Sequence, residues 1–168
     1  NSLFNSVPVT SVSASMMIPV HKDDLRPDLA AALAETEAAL DHSHCPHSGL
    51  SVAAGLVLED GRTVLGINYE SDSYGLTLCA ERCAIARAQT EGRIGTARAM
   101  VLVARTDSGK PPLATPLTPC GACRQWLAEL AERMGTDLDI LTFTPHSAEG
   151  FRSSALALLP GAFSMDSL

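Results

Sequence analysis

The chain has 168 residues, 46% of them hydrophobic and 18% charged, which suits a single globular domain with an apolar core and argues against a disordered or fibrous chain. Nineteen acidic against twelve basic residues give a net charge of -7, and no basic run is present to follow a phosphate backbone, so long nucleic acid is excluded as a partner. The five cysteines, Cys45, Cys79, Cys83, Cys120 and Cys123, are odd in number and fall at C-x-x-x-C and C-x-x-C spacings, pointing to metal or redox chemistry in a reducing, cytoplasmic compartment rather than to secretory disulfides.

Residues 1–22 hold Ser and Thr with scattered Val, two prolines and no sustained period. They are expected to form an N-terminal arm, disordered or lying on a partner, ahead of one domain over 23–168. Met16-Met17-Ile18-Pro19-Val20 is too short to span a membrane and lacks the basic lead and apolar core of a secretion signal, so no membrane role is expected. The alanine-rich run 26–40 places Leu29, Leu33 and Leu40 near helical spacing with Pro27 in the first turn, which predicts the first helix. The loop after it packs His42, His44, Cys45 and His47 close together. Consecutive loop residues seldom converge on one ion without an opposing ligand, so the loop is read as lining a cleft, with Cys45 a small buried hydrophobe.

Residues 52–58 and 63–67 are apolar runs separated by an Asp60-Gly61 turn signal, a predicted β-hairpin whose second strand delivers Asn68 and Glu70 to its end. A helix is predicted over 79–91, a strand over 99–104, a Pro-rich connection over 107–118, a helix over 121–134 and a strand over 138–143. A short strand near Phe151 and a short helix over 155–159 complete the pattern. This alternation predicts a layered α/β domain with helices on both faces of the sheet.

Two helix starts concentrate the chemistry. A thiolate at a helix N-terminus is stabilised by unpaired backbone N–H groups and the positive end of the peptide dipoles, and both Cys79 and Cys120 sit there. Cys123 lies one turn beyond Cys120, so these three sulfurs can grip one Zn2+ and leave its fourth tetrahedral position open, the arrangement of a catalytic site. Glu81, two residues past Cys79, is placed to take a proton from water at that position and deliver it to a substrate nitrogen. Arg82 and Arg124 are expected to offset the negative charge of the sulfurs. Two other readings stay open at this point: a closed structural zinc held by Cys79, Cys83, Cys120 and Cys123, and a dithiol redox pair at Cys120 and Cys123. Cys-Ala-Glu followed about forty residues later by Pro-Cys-x-x-Cys favours the open, catalytic zinc over both, because the two halves together match the zinc deaminase signature.

Gly66-Ile67-Asn68-Tyr69-Glu70, Ser73-Tyr74, Cys79-Ala80-Glu81-Arg82, the run Pro119-Cys120-Gly121-Ala122-Cys123-Arg124-Gln125 and Leu158-Leu159-Pro160-Gly161-Ala162-Phe163 together resemble the small, homotetrameric cytidine deaminase family from about His47 to Phe163. The resemblance implies a three-layer α/β/α fold around a mixed five-stranded sheet, and zinc on Cys79, Cys120 and Cys123 with Glu81 as proton shuttle. It further implies ribose contacts from Asn68 and Glu70, and a tetramer in which Phe163 touches the base in a neighbouring subunit's site. On it rests the expectation of hydrolytic deamination of cytidine and deoxycytidine, with the backbone near Ala80 holding the amine edge.

The departures fall in the pocket. Leu50 stands where the family has an aromatic against the pyrimidine, His47-Ser48 where it has Tyr-Ser, Ser71-Asp72 where Asn-Ala is usual, and Cys83 where Thr is common. They leave open a deaminase of another aminated heterocycle or modified cytosine nucleoside, for example of the blasticidin S type, and a non-enzymatic structural zinc module.

Overall fold

A computed structural model of the chain describes residues 16–107 and 116–165. Six strands, β1 (Ile18–His21), β2 (Leu50–Leu58), β3 (Thr63–Ile67), β4 (Ala97–Thr106), β5 (Asp139–Phe143) and β6 (Glu149–Ser154), form one sheet in the order β1-β6-β5-β4-β2-β3. Only β4 and β5 run parallel; the other pairs are antiparallel, so the sheet is mixed. Among the described residues the α-helices are α1 (Pro27–Ala39), α2 (Ala80–Thr90) and α3 (Gly121–Met134).

The central strands carry unbroken apolar runs, 52–58 in β2 and 99–104 in β4, because both their faces are covered. Along β2, Ala54, Leu56 and Leu58 join Met100 and Leu102 of β4 in a core closed by Ala84, Ile85 and Ala88 of α2 and by Leu127, Leu130 and Ala131 of α3. The alternate residues Ala53, Val57, Val101 and Val103 face Leu29, Ala32 and Leu33 of α1. A buried side chain the size of those leucines contributes about 1.5–3 kcal/mol, so each helix is held mainly by its apolar face. Pro27 opens α1 where its missing N–H is not needed.

Two glycines set how closely the layers approach. A Cβ on Gly66 would lie 2.3 Å from the Ala80 carbonyl oxygen and 2.4 Å from the Ala84 nitrogen, so β3 and the start of α2 meet backbone to backbone. On the opposite face, a Cβ on Gly55 would lie 2.3 Å from the Thr36 hydroxyl of α1.

Two features differ from the sequence reading. The sheet has six strands rather than five, because Ile18–His21, within the stretch read as an arm, pairs antiparallel with β6 and Met17 beside it is buried. A four-residue run is too short to display a strand's period of two, and its partner lies far along the chain. Residues 1–15, the rest of that stretch, lie outside the described residues, as does 108–115 of the Pro-rich connection. The predicted helix over 155–159 is instead a run of turns, ended where Pro160 disfavours helical backbone at Leu159.

Candidate active site

The start of β2, the end of β3 and the end of β4 share one edge of the sheet, since Leu50 pairs with Thr106 and Ala53 with Ile67. The N-termini of α2 and α3 open at that edge. A cavity of about 280 Å³ lies there, lined by Leu50, Asn68, Glu70, Ala80, Glu81 and Cys120 among others, and it joins the two helix starts to the end of β3. A larger cavity of about 440 Å³ between α2 and α3, lined by Ile85, Trp126 and Leu130, holds neither cysteine nor histidine.

Cys79 and Cys120 occupy the N-cap positions of α2 and α3, and neither helix start has a side-chain hydrogen bond capping it. Their free N–H groups therefore favour negative charge on the sulfurs. Cys79 Sγ lies 3.8 Å from Cys120 Sγ, which lies 3.5 Å from Cys123 Sγ, and all three sulfurs fall within 4.8 Å of one another. Zinc–sulfur bonds of about 2.3 Å in a tetrahedron put sulfurs about 3.8 Å apart, so the donor set fits Zn2+. This is the one grouping of three or more potential ligands among the described residues, and Cys83 and the histidines of the 42–47 loop stand outside it. A closed four-cysteine site is not formed.

The charge at the sulfurs is shared unequally. A hydrogen bond from Cys123, aided by Arg82 and Cys120 against the cost of burial, lowers the Cys79 thiol to about 5. Cys123, hydrogen-bonded to that sulfur and itself buried, is pushed up. Arg82 donates from Nη2 to the Thr77 carbonyl at 3.0 Å and approaches Cys79 Sγ at 3.6 Å, and that contact raises its own pKa further. Arg124, read from sequence as a second charge partner, donates instead from Nη1 to the Leu158 carbonyl at 3.2 Å. Glu81 follows Cys79 in the first turn of α2 and is 5% exposed. Burial pushes its carboxyl up, its own backbone N–H works the other way, and the nearby Cys79 charge raises it again. Burial likewise raises the Cys83 thiol.

At the other end of the cavity, Tyr69 bridges His44 on one side and Leu78 on the other in strand-like pairing. Alternation then turns Asn68 and Glu70 to a common face, while Tyr69 stacks on His44 with ring centroids 4.8 Å apart. Asn68 is buried; its Oδ1 accepts from Val52 N at 2.9 Å and its Nδ2 donates to the Leu50 carbonyl at 2.8 Å. Glu70 Oε2 accepts from the backbone N–H groups of His47 at 2.9 Å and Ser48 at 3.1 Å. Burial alone would raise the Glu70 carboxyl, but the hydrogen bonds from the Ser48 side chain and these two amides outweigh it and hold it below its ordinary value. Asn68 thus ties the end of β3 to the start of β2 and Glu70 ties the loop at His47 and Ser48 to the cavity wall, and both keep polar capacity for a ligand, since an amide and a carboxylate have further donor or acceptor positions.

Leu50 is partly buried in the cavity wall with Val52, Leu102 and Leu117, and among the described residues none that line the cavity is aromatic. His47 Nε2 and the Asp72 carboxylate lie 3.3 Å apart in an exposed pair, and His47 meets Tyr74 edge-on at 5.4 Å. Phe163 lies outside this cavity: the residue is 59% exposed and lines a separate surface depression with Glu129 and Met165. Sequence reasoning passed over Thr77, Leu117 and Thr118, which also line the cavity. Position just before Cys79 or Cys120 was the available signal, but no residue type marked them out.

Residues 28–134 match the family model described as the cytidine and deoxycytidylate deaminase zinc-binding region. The chain is 36% identical over 141 residues to a cytidine deaminase of Sporosarcina psychrophila, covering 84% of this chain and 95% of that protein. The crystal structure of a cytidine deaminase from Burkholderia pseudomallei superposes with a TM-score of 0.66 at 36% identity, covering 79% of this chain and 97% of that one. That of the Mycobacterium tuberculosis enzyme superposes with a TM-score of 0.61 at 30% identity, covering 83% and 100% respectively.

Proposed function

The chain belongs to the cytidine deaminase family of zinc-dependent hydrolytic enzymes, and we propose that its own substrate is a cytosine nucleoside, cytidine or deoxycytidine, converted to uridine or deoxyuridine with release of ammonia. The observation that carries this reading is the single cavity with Asn68 and Glu70 at one end and Cys79, Glu81 and Cys120 at the other. A nucleoside has the same two-ended chemistry, sugar hydroxyls at one end and an aminated ring carbon at the other.

Zn2+, when bound by Cys79, Cys120 and Cys123, supplies a Lewis acid that lowers the pKa of a water beside it. Glu81 accepts one proton from the attacking water and delivers it to ring N3 so that C4 becomes electrophilic; it then accepts the remaining proton from the new C4 hydroxyl and passes it to the exocyclic amine, which leaves as ammonia while the C4 carbonyl forms. The backbone of Ala80, buried in the cavity wall at the start of α2, holds the amine edge. Arg82 restrains Cys79 and offsets the sulfur charge. Asn68 and Glu70 receive the ribose hydroxyls, held in place by their backbone hydrogen bonds to β2 and to the loop at His47 and Ser48 respectively.

The working form is a homotetramer in which Phe163 reaches the base bound by a neighbouring copy. Its exposed ring supports this, as do the exposed Tyr69, Tyr74 and Leu76 beside the cavity. Five free cysteines support a reducing cytoplasmic setting with a role in pyrimidine salvage. No helix among the described residues is long and apolar enough to cross a membrane.

A comparison of cytidine with 2',3'-dideoxycytidine tests the sugar assignment. Buried groups left without their hydroxyl partners lower kcat/KM by about tenfold or more. Equal turnover of the two would overturn the roles of Asn68 and Glu70.

The aliphatic wall of Leu50, Val52, Leu102 and Leu117 favours a second reading, in which the base carries an apolar substituent or is another aminated heterocycle. Turnover of a 5-substituted cytidine well above that of cytidine would select it.

A further inference from the structure

The C-terminal segment is pinned by the helix that carries two of the three sulfurs. Gln125 of α3, two residues beyond Cys123, uses both ends of its side-chain amide. Its Nε2 donates to the Phe163 carbonyl at 2.7 Å and to Glu129 Oε1 at 2.7 Å, and its Oε1 accepts from Phe163 N at 3.3 Å. A primary amide matched to both the N–H and the C=O of one residue holds that residue as a neighbouring strand would. Arg124 fixes the same segment five residues earlier, at the Leu158 carbonyl. The Phe163 ring gains nothing from this within its own chain. The residue is 59% exposed and does not line the cavity beside the cysteines.

We infer that Gln125 is a positioning residue for the deamination site: it clamps the backbone of Phe163 so that the ring is presented in a fixed direction to the substrate in another copy's cavity. The inference rests on the role proposed above for Phe163. Without the clamp, the segment after Pro160 is ordered only when substrate binds, and that cost falls on binding. A ring that touches the base in the bound and reacting states alike contributes uniform binding, so its misplacement shows in KM and not in kcat.

The test is a double-mutant cycle on the intact zinc-loaded protein, with Gln125→Ala, Phe163→Ala and the two combined. Gln125→Met serves as a second variant that keeps the length and helix preference of the side chain but cannot pair with the backbone. With cytidine as the probe, Gln125→Ala and Gln125→Met each raise KM about fivefold, leave kcat within about twofold and retain the zinc of the parent. Combined with Phe163→Ala, which raises KM at least as much, Gln125→Ala adds nothing further. Full multiplication of the two effects, or a fall in kcat or zinc content at unchanged KM, overturns the clamp. If Phe163→Ala raises KM and both Gln125 variants leave it unchanged, the clamp alone fails; if Phe163→Ala leaves KM unchanged, the role of Phe163 fails and the clamp with it.

Discussion

Cys79 and Cys120 each stand at the N-cap of a helix without capping it, so the backbone donors that a serine or aspartate would satisfy are left to act on the sulfurs. The same economy appears at Glu70, whose carboxylate accepts two backbone N–H groups from a loop more than twenty residues earlier. Its carboxyl is held below the ordinary 4.5, so the stability it contributes is fully present above pH 4.5 and is lost as pH falls through the lower folded value. Thermal unfolding followed from neutral to acidic pH checks this: the parent loses more stability below pH 4.5 than Glu70→Gln does, and parallel curves would contradict it. The cysteines and Glu81 were legible in the sequence because their spacing on two helix starts constrains them. The backbone-holding parts of Asn68 and Glu70 were not, because their partners at Leu50, Val52, His47 and Ser48 are neighbours only after β2 and β3 have paired.

The approach of α2 to β3 is the element-level contact on which the site depends. A methyl group at Gly66 meets backbone atoms of Ala80 and Ala84, neither of which can rotate away. Gly66→Ala is therefore expected to cost about 1–3 kcal/mol in denaturant unfolding and to lower zinc occupancy, because α2 carries Cys79 at its N-cap and Glu81 in its first turn. Gly95→Ala, where a Cβ meets nothing within 4 Å, is the matched control and stays within about 0.5 kcal/mol of the parent. Equal effects of the two would remove the close approach as the cause. The hairpin, the three helices and β4 to β6 were readable from period and turn chemistry, with ends shifted by a residue or two. β1 was not, since an edge strand of four residues is specified by its pairing with β6 rather than by its own pattern.

At the scale of the whole molecule, the fold gathers one edge of a covered sheet into a cavity and leaves a group of large apolar side chains outside it. Tyr69, Tyr74 and Leu76 are all exposed within ten residues of chain, beside the cavity mouth, and Phe163 is exposed at the C-terminal segment. Such surface suits burial between copies. Light scattering on the purified protein is expected to give four times the chain mass of 17.6 kDa, and a monomer mass with full activity would contradict the tetramer. The central claim, that three sulfurs and one buried carboxyl carry out deamination, is tested most directly by ammonia release from cytidine with zinc content measured on the same sample, for the parent and for Glu81→Gln. The account predicts one zinc per chain in both proteins, turnover by the parent, and a loss of about 10²- to 10⁴-fold in kcat for Glu81→Gln. Undiminished turnover by Glu81→Gln, or no ammonia from the zinc-loaded parent, would contradict it.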